Sequence, residues 1–135
     1  MLTSKQIDEI LAKTPLKRYK YFMRTAVKEE QIWSLSNDEG WLLLDLASNQ
    51  DKSAFAVFPH EEFAEIFHRQ VGYEGFSAVP LDLYEFIEWL DGLEAEHIEV
   101  AVFPTPDLQS VVVRAAHLKD DFQAEFDKDK DENED

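Results

Sequence analysis

The chain has 135 residues, which suits a single domain, and 44% of them are hydrophobic and 13% aromatic. This composition supplies enough apolar surface for a packed core and excludes a chain that is disordered throughout. With 13 basic against 29 acidic residues, the formal net charge is −16, which opposes binding to nucleic acid or to an anionic membrane because the protein's field repels phosphate.

The start of the chain predicts two consecutive helices. Thr3 or Ser4 can cap a short first helix, and Thr14 followed by Pro15 is a typical opening for a second helix over residues 15–28. Basic residues recur at steps of three and four along one face of this region: Lys13, Lys17, Lys20, Arg24 and Lys28. Residues 1–28 hold seven basic and two acidic groups, so we expect this segment to be attracted to the acidic remainder of the chain.

Three strands are predicted next, because the period of the apolar residues changes. Residues 31–35 alternate between apolar and polar, residues 41–46 are almost continuously apolar as in a central strand, and residues 54–58 form a third apolar run. The polar stretches 37–40 and 48–52 predict turns. Such short connections cannot make a parallel crossover, so we expect an antiparallel meander.

Two helices are predicted after the meander. The first ends near Gly72, a residue type that often terminates helices. Residues 73–78 are then expected to form a loop. Pro80 opens the second helix, which covers residues 81–91 and ends at Gly92.

A hairpin and a last helix complete the predicted fold. Residues 98–103 and 110–113 are its strands, and residues 117–126 its helix. Residues 127–135 contain no apolar side chain, so we expect a disordered acidic tail. The sequence thus predicts one α+β domain over residues 1–126, with a mostly antiparallel sheet of about five strands packed with five helices, the first two of which form an N-terminal lead.

Three stretches carry a resemblance to a known family: Arg18-Tyr19-Lys20-Tyr21-Phe22 with Trp33 downstream, Gly40-Trp41-Leu42-Leu43-Leu44, and Phe58-Pro59-His60-Glu61-Glu62-Phe63-Ala64. Over most of residues 15–122 the chain resembles the DUF2750 family of bacterial proteins, which has no established function. Residues 54–122 are also similar, more weakly, to the N-terminal domain of SseB, the enhanced-serine-sensitivity protein. Neither resemblance supplies a catalytic residue.

His60, Glu61, Glu65 and His68 form the most distinctive polar set in the sequence. Their spacing lets Glu61, Glu65 and His68 share one edge of a helix, and imidazole with carboxylate suits Zn²⁺ or Fe²⁺. Ala64, however, stands where an HExxH motif beginning at His60 needs its second histidine. The same spacing is routine on the solvated face of an acidic helix. We predict this simpler interpretation, with no metal and no cofactor.

Sequence motifs typical of enzymes are missing. Cysteine is absent, which excludes thiolate catalysis and cysteine-ligated zinc. No serine occupies a Gly-x-Ser-x-Gly motif, and the four glycines form no dinucleotide-binding or phosphate-loop pattern. We therefore predict that the protein is not an enzyme.

Three aromatic residues are the candidate binding residues: Tyr73, Phe76 and Trp89. Tyr73 and Phe76 flank Gly75 in the predicted loop, and Trp89 is offset from the apolar stripe of its helix. Exposed aromatic side chains are typical of protein-binding surfaces, since they bury much area at a small entropy cost. We predict that these three residues contact another protein.

The sequence as a whole favours a small acidic cytoplasmic protein that acts as a non-enzymatic protein-interaction or regulatory module. We predict a protein partner, and the negative net charge allows this partner to be basic. The same charge predicts no binding to nucleic acid. We also predict no membrane association, since no apolar run could span a bilayer or act as a secretory signal. Two alternatives stay open. One is a metal-dependent, hydrolase-like enzyme centred on His60, Glu61, Glu65 and His68, and the other is an immunity-like or nucleic-acid-mimicking acidic protein.

Overall fold

The computed structural model describes residues 2–46, 49–107 and 109–132. Within these ranges the elements are, in chain order, α1 (Ser4–Leu11), α2 (Pro15–Glu29), β1 (Gln31–Asn37), β2 (Gly40–Trp41), β3 (Leu43–Leu46), β4 (Asn49–Val57), α3 (Glu61–Val71), β5 (Ser77–Asp82), α4 (Leu83–Ala95), β6 (Glu99–Val102), β7 (Val111–Val113) and α5 (Ala115–Glu132). The α+β class is confirmed, with more strands than the five expected. No helix in the described part combines the length and apolarity that a bilayer crossing requires.

The two N-terminal helices begin where the sequence predicts. The Thr3 hydroxyl accepts a hydrogen bond from the Gln6 backbone N–H at 3.1 Å, and the Gln6 side chain accepts one from the Thr3 N–H at 2.9 Å, which completes a capping box. Thr14 caps α2 by accepting from the Lys17 N–H at 3.3 Å. The helix ends at Glu30, which takes the left-handed conformation with φ of 56°.

The strands of the predicted meander follow one another as expected, but the middle strand is divided. β2 pairs antiparallel with β1, and β3 pairs antiparallel with β4. Between them the Leu42 N–H donates to the Leu35 carbonyl at 2.8 Å, so the chain changes its partner strand there. The prediction of one central strand over residues 41–46 is therefore wrong: β2 and β3 are edge strands of two different sheets, and Leu43 is 41% exposed.

The two sheets have the strand orders β2-β1-β5 and β3-β4-β6-β7. They meet at an antiparallel bridge, in which Trp33 and Phe58 exchange backbone hydrogen bonds of 2.9 and 2.8 Å. β4 and β6 run parallel because α3, β5 and α4 connect them, and a long crossover permits that direction. β4 also begins at Asn49, inside the stretch 48–52 predicted as a turn, while residues 47 and 48 lie outside the described part.

Pro80 does not open a helix, which corrects the prediction for residues 81–91. It lies in β5 opposite Trp33 of β1, and β5 is an edge strand, where proline is tolerated because the missing N–H leaves no ladder bond unmade. The helix begins after Asp82, whose carboxylate accepts from the Glu85 N–H at 3.1 Å. Gly92 is inside this helix rather than at its end.

The last helix is longer than the sequence predicts. α5 continues past Phe126 to Glu132, so the first part of the expected disordered tail, residues 127–132, is helical, and residues 133–135 lie outside the described part. Two side-chain contacts follow helical spacing here. The Gln123 amide donates to the Asp127 carboxylate at 3.3 Å, and Lys128 lies 3.9 Å from Glu125.

A chain of aromatic rings connects the helices to the four-stranded sheet. Phe55 of β4 stacks on Phe86 of α4 with ring centroids 5.9 Å apart, Phe86 meets Phe122 of α5 edge-on at 6.4 Å, and Phe122 meets Phe22 of α2 at 6.2 Å. All four rings are buried. These rings join three helices to one sheet, and buried residues of α3, β1 and β5 complete the core, which positions the surfaces described next.

Candidate functional site

Trp89 lies on the outer side of α4 and is 38% exposed. Its ring meets Trp41 of β2 edge-on, with centroids 5.6 Å apart, and Trp41 in turn meets the buried Phe55 at 5.7 Å. The exposed Leu43 is the register partner of Phe55. Trp41 and Leu43 are neighbours of the buried Phe55, and Trp89 contacts Trp41. These three residues, Trp41, Leu43 and Trp89, form what we call the tryptophan patch.

The chain around the tryptophan patch carries acidic side chains and no basic ones. Residues 38–46 and the helix α4 contain no lysine or arginine. Exposed carboxylates stand close to the patch in sequence, at Glu39, Asp45 and Glu88. Acids that are close to the patch in sequence favour a partner that presents an apolar group together with positive charge, although Lys119 and Arg114 pair with two other acids of α4, Asp91 and Glu94.

Tyr73 and Phe76 belong to a different part of the molecule. Tyr73 stacks on Phe67 of α3 with centroids 6.0 Å apart, and Phe76 meets Tyr73 edge-on at 6.1 Å. Both side chains are half-buried, and the Tyr73 N–H donates to the His68 carbonyl at 2.9 Å. The ring partner that the structure gives Trp89 is Trp41, so the three aromatic residues predicted as one surface fall into two groups.

The four residues of the predicted metal alternative do not come together at one point. His60 Nε2 shares a hydrogen bond of 3.1 Å with the Tyr21 hydroxyl, whereas His68 Nε2 lies 2.9 Å from the Glu65 carboxylate. Glu65 also accepts from the Ala78 N–H at 3.3 Å, and Glu61 is exposed. Among the residues that the structure describes, no three histidine or acidic side chains are grouped so as to hold a metal ion.

Glu65 connects α3 to the start of β5, and its protonation should affect stability. The hydrogen bond from His68 lowers the pKa of Glu65, with further lowering from the Ala78 N–H. A lowered pKa means that the carboxylate stabilises the fold above the ordinary value of 4.5 and that this contribution is lost as the pH falls through the folded-state pKa.

We therefore expect Glu65→Gln to lower the free energy of unfolding by about 1 kcal/mol at neutral pH, and by less below the ordinary glutamate pKa. Urea denaturation of wild type and variant at both pH values measures this difference. Glu61→Gln, an exposed acid in the same helix, is the matched control and should change little at either pH. An equal deficit of Glu65→Gln at both pH values would contradict the role of the carboxylate.

A further site lies where the two sheets meet, and we call it the junction pocket. It is a cavity of about 400 Å³ lined by Leu2, Gln6, Glu29, Gln31, Trp33, Pro59, His60 and Glu62. Glu62 accepts a hydrogen bond from the Leu2 N–H at 3.3 Å, which connects the start of the chain to α3. The elements α1, α2, β1 and α3 therefore all contribute side chains to it.

The charges of the junction pocket depend on burial, on two carboxylates and on the N-terminal ammonium, which adds to the lowering of the pKa of His60. Burial lowers the pKa of His60, although Glu62 and Glu29 act to raise it. Burial also raises the pKa of Tyr21, and the same two carboxylates add to that rise. The imidazole is therefore neutral and the phenol protonated at neutral pH, so the pocket has a net negative charge.

The basic stripe lies on the surface, whereas Arg18, a basic residue of α2 outside the stripe, is buried. Lys17, Lys20, Arg24 and Lys28 are exposed, and a cavity of about 460 Å³ between α2 and the acidic α5 is lined in part by two of them, Lys20 and Arg24. Arg18 is instead 2% exposed. Its guanidinium donates to the backbone carbonyls of Lys13, Phe103 and Gln109. Sequence reasoning missed this role, since Arg18 entered it only as a charge and as part of a stretch that carries the family resemblance.

The family model described as a protein of unknown function (DUF2750) matches residues 19–122, which is more than half of the chain. The chain belongs to the DUF2750 family. A search of the curated proteins found no match. The similarity of residues 54–122 to the SseB domain stays a prediction.

Some of the residues that carry the DUF2750 resemblance meet at the junction pocket, although none of residues 40–44 lines it. Trp33, Pro59 and His60 line it, and Tyr21 is hydrogen-bonded to His60. They come from three stretches of the chain that the Trp33–Phe58 bridge and the packing of α2 bring together. The sequence marks these residues as distinctive, but their convergence is visible only in the fold of this DUF2750 chain.

Proposed function

We propose that this DUF2750 protein is a non-enzymatic interaction module that binds a basic protein through the tryptophan patch. The observation that carries the proposal is the exposed Trp89, whose ring meets the half-buried Trp41 edge-on, beside the exposed Leu43. Tryptophan is enriched at the energetic centres of protein interfaces, where a rigid aromatic side chain buries a large area. Trp41 packs on the buried Phe55 and Trp89 packs on Trp41, so the two rings lose little freedom when a partner covers them.

The charge of the chain supports a basic partner. The net charge of −16 attracts a cationic surface over a distance of about one Debye length, roughly 8 Å at physiological salt. The acids next to the patch then discriminate between partners, since like charges at the rim of an interface repel. An apolar anchor with lysine or arginine beside it matches this surface.

Affinity capture at low and at moderate salt, with four immobilised forms of the protein, tests the proposal. These are wild type, the double variant Leu43→Ala with Trp89→Ala, the double variant Tyr73→Ala with Phe76→Ala, and Leu16→Ala, whose residue is 58% exposed on α2. We expect a basic protein that wild type and Leu16→Ala retain equally, that moderate salt weakens, and that the patch variant retains at least about tenfold less.

The comparison among variants distinguishes binding at a specific interface from non-specific retention. Urea denaturation first establishes that each variant is folded. Equal retention by the patch variant and wild type would contradict the proposal, as would the failure of any basic protein to be retained. Loss of retention only with Tyr73→Ala and Phe76→Ala would place the contact on the other aromatic group and would also contradict it.

A further inference from the structure

We infer that the junction pocket is a binding site for a small organic cation, either an alkylammonium or a guanidinium group. This inference is independent of the proposed docking face, because the tryptophan patch and the pocket have no residue in common. Three features support it: the sign of the pocket's charge, an aromatic wall, and acceptor groups around the cavity.

The first feature is an excess of negative charge: two carboxylates line the pocket, and the positive charge that also acts at His60 is the N-terminal ammonium of the chain. None of the eight lining residues, all of them described, is a lysine or arginine, and two are the acids Glu29 and Glu62. Glu62 stands in the first turn of α3, where the positive end of the helix dipole stabilises it. Glu29 is the last residue of α2, where the dipole is negative and an acid is disfavoured. A bound cation would relieve this repulsion.

Both carboxylates act on the same point of the pocket. Glu29 and Glu62 each shift the pKa of His60 and of Tyr21 in the direction that a nearby negative charge requires. Burial outweighs them at His60, so the imidazole stays neutral and does not repel a cation. The pocket thus combines two negative charges with a neutral ring.

The second and third features favour an organic cation over a metal ion. Trp33 is half-buried, and an indole face is the best aromatic surface for a cation. Gln6 and Gln31 add amide oxygens that can accept from an N–H group. The cavity of about 400 Å³ has room for a ligand of several non-hydrogen atoms. The described histidine and acidic side chains do not converge as metal ligands do.

Nuclear magnetic resonance of the indole N–H of Trp33 tests the inference with defined probes. Butylammonium and methylguanidinium represent a free small cation, and lysine blocked at both its backbone ends represents a side chain of another protein. Butanol is the neutral control of similar size. We expect a saturable shift of the Trp33 signal with the cations and none with butanol, and we expect high salt to weaken the binding.

Two matched double variants assign the shift to the pocket. Glu29→Gln with Glu62→Gln removes the lining acids, and we expect each substitution to weaken binding about fivefold. Glu30→Gln with Glu61→Gln changes the adjacent acids, which do not line the pocket, and should bind as wild type does. If the first double variant fails to fold, the single variant Glu29→Gln tests the inference instead. Glu29 is exposed at the end of its helix, so we expect this variant to fold.

The outcomes are distinguishable. A shift with the free cations alone supports a free amine or guanidine as the ligand, and a shift that includes blocked lysine supports a protein side chain. No shift with any cation overturns the inference. An equal response to butanol, or full binding by the folded variant that lacks Glu29 and Glu62, overturns it as well.

Discussion

Arg18→Met is expected to lower the free energy of unfolding by about 3 kcal/mol, although it replaces one of 13 basic residues in a chain with an excess of acids. The guanidinium donates to the carbonyls of Phe103 and Gln109 at 3.4 and 2.9 Å and to that of Lys13, and it lies 5.9 Å from the Phe103 ring centroid. Methionine fills a similar volume but leaves these acceptors without their donor.

The contact with Arg18 also holds the backbone of Phe103 in a strained conformation. Phe103 is fully buried and has a φ of 54°, a left-handed conformation that costs a non-glycine residue roughly 1–2 kcal/mol. The Arg18 bond to its carbonyl and the bond of its own N–H to Val57 at 2.8 Å hold it there. Loss of Arg18 therefore releases a strained segment between β6 and β7 as well as a set of hydrogen bonds.

Urea denaturation of two control variants tests whether the loss of stability in Arg18→Met comes from the lost charge or from the lost hydrogen bonds. Lys17→Met removes an exposed positive charge from the same helix and should change the free energy of unfolding by less than about 0.5 kcal/mol. Arg18→Lys keeps the charge, but we expect it to restore little, because one ammonium group cannot replace a planar fork that reaches three carbonyls. Full rescue by lysine would show that charge alone, and not the fork, stabilises the segment.

Phe86→Ala should have the largest effect that we predict for a side chain of the aromatic core, about 4 kcal/mol. Its ring is fully buried, stacks on Phe55 and meets Phe122 edge-on. Truncation removes apolar contacts and leaves a cavity that three separate elements would have to fill together. Since domains of this size are stable by only about 5–15 kcal/mol, denaturation should be followed at low urea and low temperature.

The matched control makes the same substitution at a half-buried position. Phe126 of α5 stacks on Tyr84 with ring centroids 5.8 Å apart, outside the chain of buried rings. We expect Phe126→Ala to cost about 1 kcal/mol, which is the contribution of a stacked pair near the surface. Similar losses for the two variants would contradict the placement of Phe86 at the centre of the core.

Most of the helices could be predicted from the sequence because their signals are local. Thr3, Thr14 and Gly72 mark helix ends through hydrogen bonds and backbone angles that involve only neighbouring residues. The exception is Pro80, which suits the first turn of a helix and the edge of a sheet equally well. Only the pairing of β5 with β1 decides between them.

The strands likewise depend on pairing between distant segments. The apolar run over residues 41–46 has the composition of a buried central strand, yet it divides at Leu42 because β1 and β4 each pair with one half of it. The acidic end of the chain also misleads, since a lack of apolar residues predicts disorder, whereas α5 continues to Glu132. The composition of a segment shows whether it can be buried, whereas the ends of a strand or helix also depend on the segments that pair or pack with it.

The candidate sites depended still more on tertiary structure. From spacing, Glu61, Glu65 and His68 could share one helix edge. In the structure Glu65 and His68 bind each other, Glu61 is exposed, and His60 is hydrogen-bonded to the Tyr21 hydroxyl. Trp89 was identified as exposed from its offset on the helix, whereas its partner Trp41 and the neighbouring Leu43 had been assigned to the interior. A sequence shows residue types, while contacts between distant segments decide which faces remain open.

The sequence by itself determined the class of the fold, the excess of negative charge and the family, because these depend on composition, period and motif. The tertiary structure alone decided that Trp33, Glu29 and Glu62 line one pocket, that Trp41 and Trp89 form one patch, and that Arg18 is buried. The physical reason is that a site consists of side chains far apart in the chain, and only the packing of helices on two joined sheets sets their distances.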